Sequence, residues 1–153
     1  NKGVGTMKFD AVVGNPPYQE VTENTSDNPV YHEFLKATFR LNTKVSLIHP
    51  ARFLFNAGKT SDEFTKNILN DKHFKVLRYT PNGREFFPTS DIKGGVAITY
   101  YDPEEDFGAI GTFIPFEELK SIHKKVVIDN KDFSPLSVTP KSSGCNFLFS
   151  ASP

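Results

Sequence analysis

Cysteine occurs once, at Cys145, so this chain of 153 residues has no internal disulfide and no multi-cysteine metal site. That scarcity fits a reducing compartment. Charge imbalance is missing too. Eighteen basic side chains offset 18 acidic ones, so net charge argues neither for nor against a polyanionic partner, and a nucleic-acid ligand would need a local basic face. No apolar run approaches the length that crosses a bilayer, and the N-terminal NKGVGTMKFD lacks the apolar segment of a signal peptide. The expectation is a soluble, cytoplasmic chain with no membrane partner. His32, His73 and His123 have no ligand-like spacing with one another or with acids, so no metal is expected. Internal repeats and low-complexity tracts are absent as well.

Core material, by contrast, is ample. Hydrophobic residues make up 37% of the chain and 15 residues are Phe, in a length that suits one compact domain. FDAVVG (9–14) is a short, nearly continuous apolar run that predicts a strand buried on both faces, as in a parallel sheet. The polar stretch QEVTENTSDN (19–28) reads as a loop or lid. Pro29 suits the first position of a helix capped by Asn28, with Val30, Phe34, Ala37 and Leu41 along one face and Leu35 and Thr38 beside it. VSLIHP (45–50) is a second apolar, β-branched run. Thr60 and Glu63 have capping-box spacing and open a helix that turns Phe64 and Ile68 inward. KVLRYT (75–80) and GGVAITYY (94–101) complete the strands, the latter alternating Val96, Ile98 and Tyr100 against Ala97, Thr99 and Tyr101. The order strand, helix, strand, helix, strand, strand predicts an α/β fold that closes with an antiparallel hairpin. Beyond Asp102 the character changes. FIPFEELKSIHKK (113–125) predicts a short helix with Phe116, Leu119 and Ile122 inward, and the remainder is rich in Ser, Pro and Lys.

The first strand ends in an unusual corner, Asn15-Pro16-Pro17-Tyr18. In open α/β sheets ligands bind beyond the carboxyl ends of strands, and this corner stands at such an end. Two successive prolines fix φ and supply no backbone N–H, so the corner is stiff and rich in acceptors. The Asn15 side-chain carbonyl and the Pro16 backbone carbonyl together fit a planar NH₂ group, which has two donors to satisfy. Tyr18 adds a face on which a flat ring can stack. The nitrogen of an amide or aromatic amine is a poor nucleophile because its lone pair is delocalised. Drawing both N–H bonds towards acceptors favours a pyramidal nitrogen and aims the lone pair at an electrophile, an interaction that strengthens as positive charge develops.

FDAVVGNPPY (9–18) resembles the catalytic segment of amino-group DNA methyltransferases that use S-adenosylmethionine. The likeness continues through VSLIHPARFLFNAGK (45–59) and GREFFPTSDIKGGVAITYY (83–101), and these blocks resemble the adenine-specific methylases of type II restriction–modification systems. The resemblance covers about residues 8–102. It implies a Rossmann-like sheet, here its C-terminal half, and a target adenine flipped out of duplex DNA so that its amino group reaches a recessed site. Carried across, it implies that Asn15 and Pro16 accept from the adenine amino group, that Pro17 stiffens the corner, and that Tyr18 stacks on the base. Phe87 matches a second aromatic that packs against the base, with Phe86 one residue away as the alternative. The resemblance also implies that Asn15 and its neighbours touch the methyl-bearing end of S-adenosylmethionine and that no metal takes part. A planar NH₂ is also presented by protein glutamine and by RNA bases, so a protein-glutamine or RNA amino-group methyltransferase is the nearest alternative. A non-catalytic DNA- or protein-binding remnant is the other.

His49, at a strand end, reads as a satisfied polar residue rather than a base. Arg52, Lys59, Arg84 and Lys93 fall in or near loops on the family's DNA side, where phosphate contact competes with simple solvation. The Gly94-Gly95 pair reads as close strand packing rather than a phosphate cradle. A complete methylase also carries a glycine-rich loop and an acid for S-adenosylmethionine. Gly3-Val4-Gly5 follows no strand and opens no helix, so it does not supply that loop. The expectation is that 1–102 forms the catalytic half of a methyltransferase domain and 103–153 starts a target-recognition or linker region. The missing N-terminal half, a recognition domain and a fused or separate endonuclease would be its partners. Titration calorimetry of the 153-residue chain with S-adenosylmethionine should therefore give little or no heat; micromolar binding would refute the missing-pocket reading.

Overall fold

The computed structural model describes residues 9–20, 28–90 and 92–128, and the chain divides after Pro115 into two units. In the first, β1 (Ala11–Gly14) leads to a short antiparallel pair, β2 (Gln19–Glu20) with β3 (Asn28–Pro29). There follow α1 (Tyr31–Phe39), β4 (Lys44–Pro50), α2 (Asp62–Asn70), β5 (Phe74–Thr80) and β6 (Val96–Tyr101). The main sheet is mixed, in the order β1-β4-β6-β5, with β1 and β4 parallel and β6 antiparallel to both of its neighbours. A parallel pair needs a long crossover, which α1 supplies, whereas β5 and β6 join as a hairpin. The α/β pattern with its closing antiparallel hairpin is as the sequence predicts.

Position in the sheet decides burial. β6 lies between two strands, and Val96, Ala97 and Thr99 are all buried, so both of its faces are covered. Phe53 and Phe74 are fully buried in the core with Leu35, Val45 and Leu47, and each such side chain contributes roughly 1.5–3 kcal/mol. α2 begins at Ser61, whose hydroxyl accepts from the Phe64 amide at 3.2 Å, and it buries Phe64 and Ile68 as expected.

Several expectations are corrected. β1 is not buried on both faces: it is an edge strand among the described residues, with β4 as its one neighbour, and Val13 is 82% exposed. Asn28 and Pro29 do not start α1. They pair with Gln19 and Glu20, and Val30 N donates to Tyr18 O at 3.1 Å, so extended pairing delays the helix to Tyr31 and leaves it without a side-chain cap. The inward face of α1 is Tyr31 and Leu35, one turn apart, while Phe34 and Leu41 are largely exposed. Thr60 is not the cap of α2, because its hydroxyl bonds Tyr31 Oη at 2.9 Å.

The chain beyond Asp102 keeps packing on this layer. Phe107 N donates to Lys72 O at 2.7 Å and Gly111 N to Leu69 O at 2.8 Å, with Ile110 and Phe113 against the core. In the second unit, α3 (Glu117–His123) exposes Phe116, Leu119 and Ile122, contrary to the inward face expected of them. No other strand or α-helix of that unit lies among the described residues to cover the stripe.

Gly95 marks the tightest approach in the hairpin. At φ +81° a Cβ there would lie 2.3 Å from Thr80 O, whereas one at Gly108 (φ +77°) would meet nothing within 4 Å. Gly95→Ala should cost at least roughly 2 kcal/mol more than Gly108→Ala in urea unfolding, since both share the backbone penalty and only one adds the clash. Equal costs would show that the hairpin yields.

Candidate active site

Three loops emerge from one end of the main sheet. The parallel β1 and β4 bring their carboxyl ends side by side, with Gly14 opposite Leu47. Because β6 is antiparallel, its first residue, Val96, pairs with Pro50 at the end of β4 and with Thr80 at the end of β5. The chain leaving β1, the chain leaving β4 and the β5–β6 connection therefore meet where open α/β sheets bind ligands. Between them lies a cleft of about 760 Å³, within the usual range for small-molecule sites.

The whole corner lines this cleft: Asn15 exposed, Pro16 buried, Pro17 exposed and Tyr18 half-buried. Phe87 comes in from the β5–β6 connection, its ring centroid 6.1 Å from that of Tyr18 and the planes at 77°. The two rings thus form a face and an edge, an L-shaped wall able to hold a flat ring against Tyr18. Phe86 turns elsewhere and carries the Arg78 guanidinium 5.0 Å above its ring. Burial pushes the Tyr18 phenol up to about 12, against a weaker opposing effect of the Asn15 amide. Among the described residues no group meets hydrogen-bond geometry at the Tyr18 hydroxyl.

Among the described residues, the charge that lines the cleft is of one sign. Arg52, Lys59 and Lys93 line it, and no acidic side chain does so among the described residues. Arg84, grouped with them by sequence, is exposed and lies outside the lining; its amide donates to the Asn82 side-chain carbonyl. Arg52 Nε donates to Lys93 O at 2.7 Å, which ties the β4 exit to the hairpin.

Comparison with known proteins bears on this cleft. A family model described as Eco57I restriction-modification methylase matches residues 2–87, more than half the chain and all but the last few lining residues. The chain belongs to the Eco57I restriction-modification methylase family. A relative from Mycoplasma pneumoniae (strain M129), named an uncharacterized adenine-specific methylase, is 29% identical over 97 residues, or 60% of this chain. The chain spans 23% of that relative's length. No solved structure matches.

Tyr31 and Thr60 are among the lining residues of this methylase-family cleft that the sequence does not mark as site residues. Tyr31 lines it although the residue is only 3% exposed, and Thr60, whose hydroxyl bonds the Tyr31 phenol, lines it too. A tyrosine at a helix start carries no local signal of such a role. The Gly94-Gly95 turn has left-handed φ at both residues, and Gly95 O accepts from Ala51 N at 3.0 Å, in keeping with close packing. No helix among the described residues is long and apolar enough to cross a membrane.

His49 sits beneath the cleft and does not line it. It is fully buried, its ring 5.7 Å from that of Tyr31 and nearly parallel to it. Nδ1 lies 3.1 Å from Pro50 O and Nε2 lies 2.9 Å from Thr99 Oγ1. A carbonyl only accepts, so Nδ1 carries the proton and Nε2 accepts from the Thr99 hydroxyl. This is the satisfied polar residue that the sequence predicts. Burial pushes its pKa down to about 4, against the opposing effect of the Pro50 carbonyl. Because the folded value lies below the ordinary 6.5, the unfolded chain binds the proton first as pH falls. Stability is complete above about pH 6.5 and lost towards pH 4, by roughly 3 kcal/mol from this group. His49→Gln keeps a donor for Pro50 O and an acceptor for Thr99, so it should flatten the pH dependence of the melting temperature between pH 6.5 and 5. An unchanged slope would place the titration on another group.

Proposed function

We propose that this chain carries the acceptor side of an adenine-N6 DNA methyltransferase active site from a restriction–modification system. The observation that carries the reading is the convergence of the Asn15–Tyr18 corner and Phe87 on one cleft. The family match supports methylase chemistry, and the Mycoplasma relative's name supports adenine as the acceptor. The sheet order, with one edge at β1, is compatible with a Rossmann-like methyltransferase sheet whose other half would add beyond that edge.

In this reading a flipped adenine lies against Tyr18 with Phe87 as the side wall. Asn15 Oδ1 and the Pro16 carbonyl accept the two N–H bonds of its amino group. The nitrogen lone pair is thereby directed out of the ring plane, and the growing positive charge is met by two preorganised dipoles. With a phenol pushed up to about 12, Tyr18 acts as a surface rather than as a proton carrier. S-adenosylmethionine supplies the methyl group when bound. The residues present fit only its reactive end, beside Asn15: among the described residues no acid lines the cleft to take the ribose hydroxyls. Most of its pocket, and the domain that reads the DNA sequence, would lie outside these 153 residues, with 103–153 leading towards the latter.

Asn15→Ala in the intact protein should reduce methyl transfer to duplex DNA by roughly 10²–10³-fold, about 3–4 kcal/mol in the barrier, with DNA binding retained. The same assay on RNA and on protein substrates separates the other amino-group acceptors. Unimpaired methylation by the Asn15→Ala protein would end the catalytic assignment.

A further inference from the structure

Arg52 is an exposed arginine for which the fold makes unusual room. Its aliphatic stem runs between Gly58 and Gly94, both with left-handed φ. A Cβ at Gly94 would lie 2.5 Å from Arg52 Cγ, and one at Gly58 would lie 3.4 Å from Arg52 Cδ. Among the described residues the guanidinium is then fixed by one bond, Nε to Lys93 O. That bond uses one of its five N–H donors and leaves the two terminal nitrogens, in a rigid planar fork. Arg52 has no salt bridge to a carboxylate among the described residues, and the cleft it lines has no acidic side chain among them. Arg52 is held at the side of a cleft whose other described charges, Lys59 and Lys93, share its sign.

We propose that Arg52 is the subsite for a phosphate of the nucleotide whose base occupies the Asn15, Tyr18 and Phe87 side of the same cleft. This rests on the amino-group reading above and adds a second point of attachment to it. The fork matches the paired oxygens of a phosphate, and its fixed stem means little side-chain freedom is lost on binding. Held at both base and phosphate, an extruded nucleotide has its amino group placed against Asn15 without further motion.

The test uses the 153-residue chain with adenosine, adenosine 5′- and 3′-monophosphate and inorganic phosphate, followed by NMR titration. At least one monophosphate should bind roughly tenfold more tightly than adenosine, with the preference shrinking as salt is added. Arg52→Gln should remove the preference and leave adenosine binding intact, and Arg52→Lys should restore part of it. Equal affinity of both monophosphates and adenosine, or an Arg52→Gln protein that loses all of them together, would overturn the proposal. So would inorganic phosphate binding as well as the nucleotide, or an effect of Arg52→Gln confined to S-adenosylmethionine, which would assign the arginine to that molecule's carboxylate. If adenosine alone fails to bind while a monophosphate binds through Arg52 more tightly than inorganic phosphate does, the amino-group reading fails and the phosphate subsite stands.

Discussion

The antiparallel seating of β6 between β4 and β5 is the constraint on which the cleft depends. Had β6 run parallel to β4, the chain after β5 would have crossed to the far end of the sheet. Lys93, just before β6, would then stand about 20 Å away, the rise of a six-residue strand. With β6 reversed, the β5–β6 connection stays at the carboxyl ends of β1 and β4. Gly95 makes that reversal possible, because its missing side chain lets the start of β6 press against Thr80 O. Its carbonyl also takes the Ala51 amide, so the same residue that closes the hairpin steadies the exit of β4 immediately before Arg52.

Beneath the cleft a column of rings turns this topology into a firm floor. Tyr31 lies on His49 with the planes 5° apart, and Phe53 packs against both at 6.1 and 5.4 Å. Each polar atom in the column has a local partner: the Tyr31 hydroxyl meets Thr60, and the two His49 nitrogens meet Pro50 O and Thr99. A buried polar group left unpaired would cost more than its bond contributes, so these contacts fix one arrangement of α1 against β4. The loop that holds Arg52 and Thr60 is pinned by that arrangement at one end and by the Ser61 cap of α2 at the other.

The strands were legible in the sequence because their apolar runs are long for their environment. VSLIHP and GGVAITYY could be nothing but interior, and both occupy the centre of the sheet. FDAVVG reads the same way by composition, yet Val13 stands in the open, since a residue pattern records what a strand could bury and not which neighbours are present. The start of α1 departs from its sequence pattern for a different reason. Asn-Pro is a sound helix-opening signal locally, but pairing of Asn28 and Pro29 with Gln19 and Glu20 overrides it, and that pairing is set by the corner ten residues earlier. Of the cleft itself, the corner and Phe87 were readable through motif and resemblance. Tyr31 and the Arg52–Lys93 bond were not, because they arise from tertiary contacts between segments that carry no signature of each other.

The proton states around the cleft narrow the chemistry it can perform. Tyr18 stays protonated because its phenol is raised, and Tyr31 is shifted in the same direction, mainly by burial. His49 stays neutral because its imidazole is lowered to about 4. None of these three groups is poised to take or give a proton near neutral pH, so a reaction that began by deprotonating a substrate would find no base among them. A neutral nucleophile is different. It needs acceptors placed beside its N–H bonds, a surface to hold its ring and, where it carries a phosphate, a cation at a fixed distance. A planar amine needs only to be reshaped, and its surplus proton can depart after bond formation, once the nitrogen has become strongly acidic. The stiff corner, the two aromatic rings and the clamped arginine are suited to that order of events, in which geometry precedes proton transfer rather than following it.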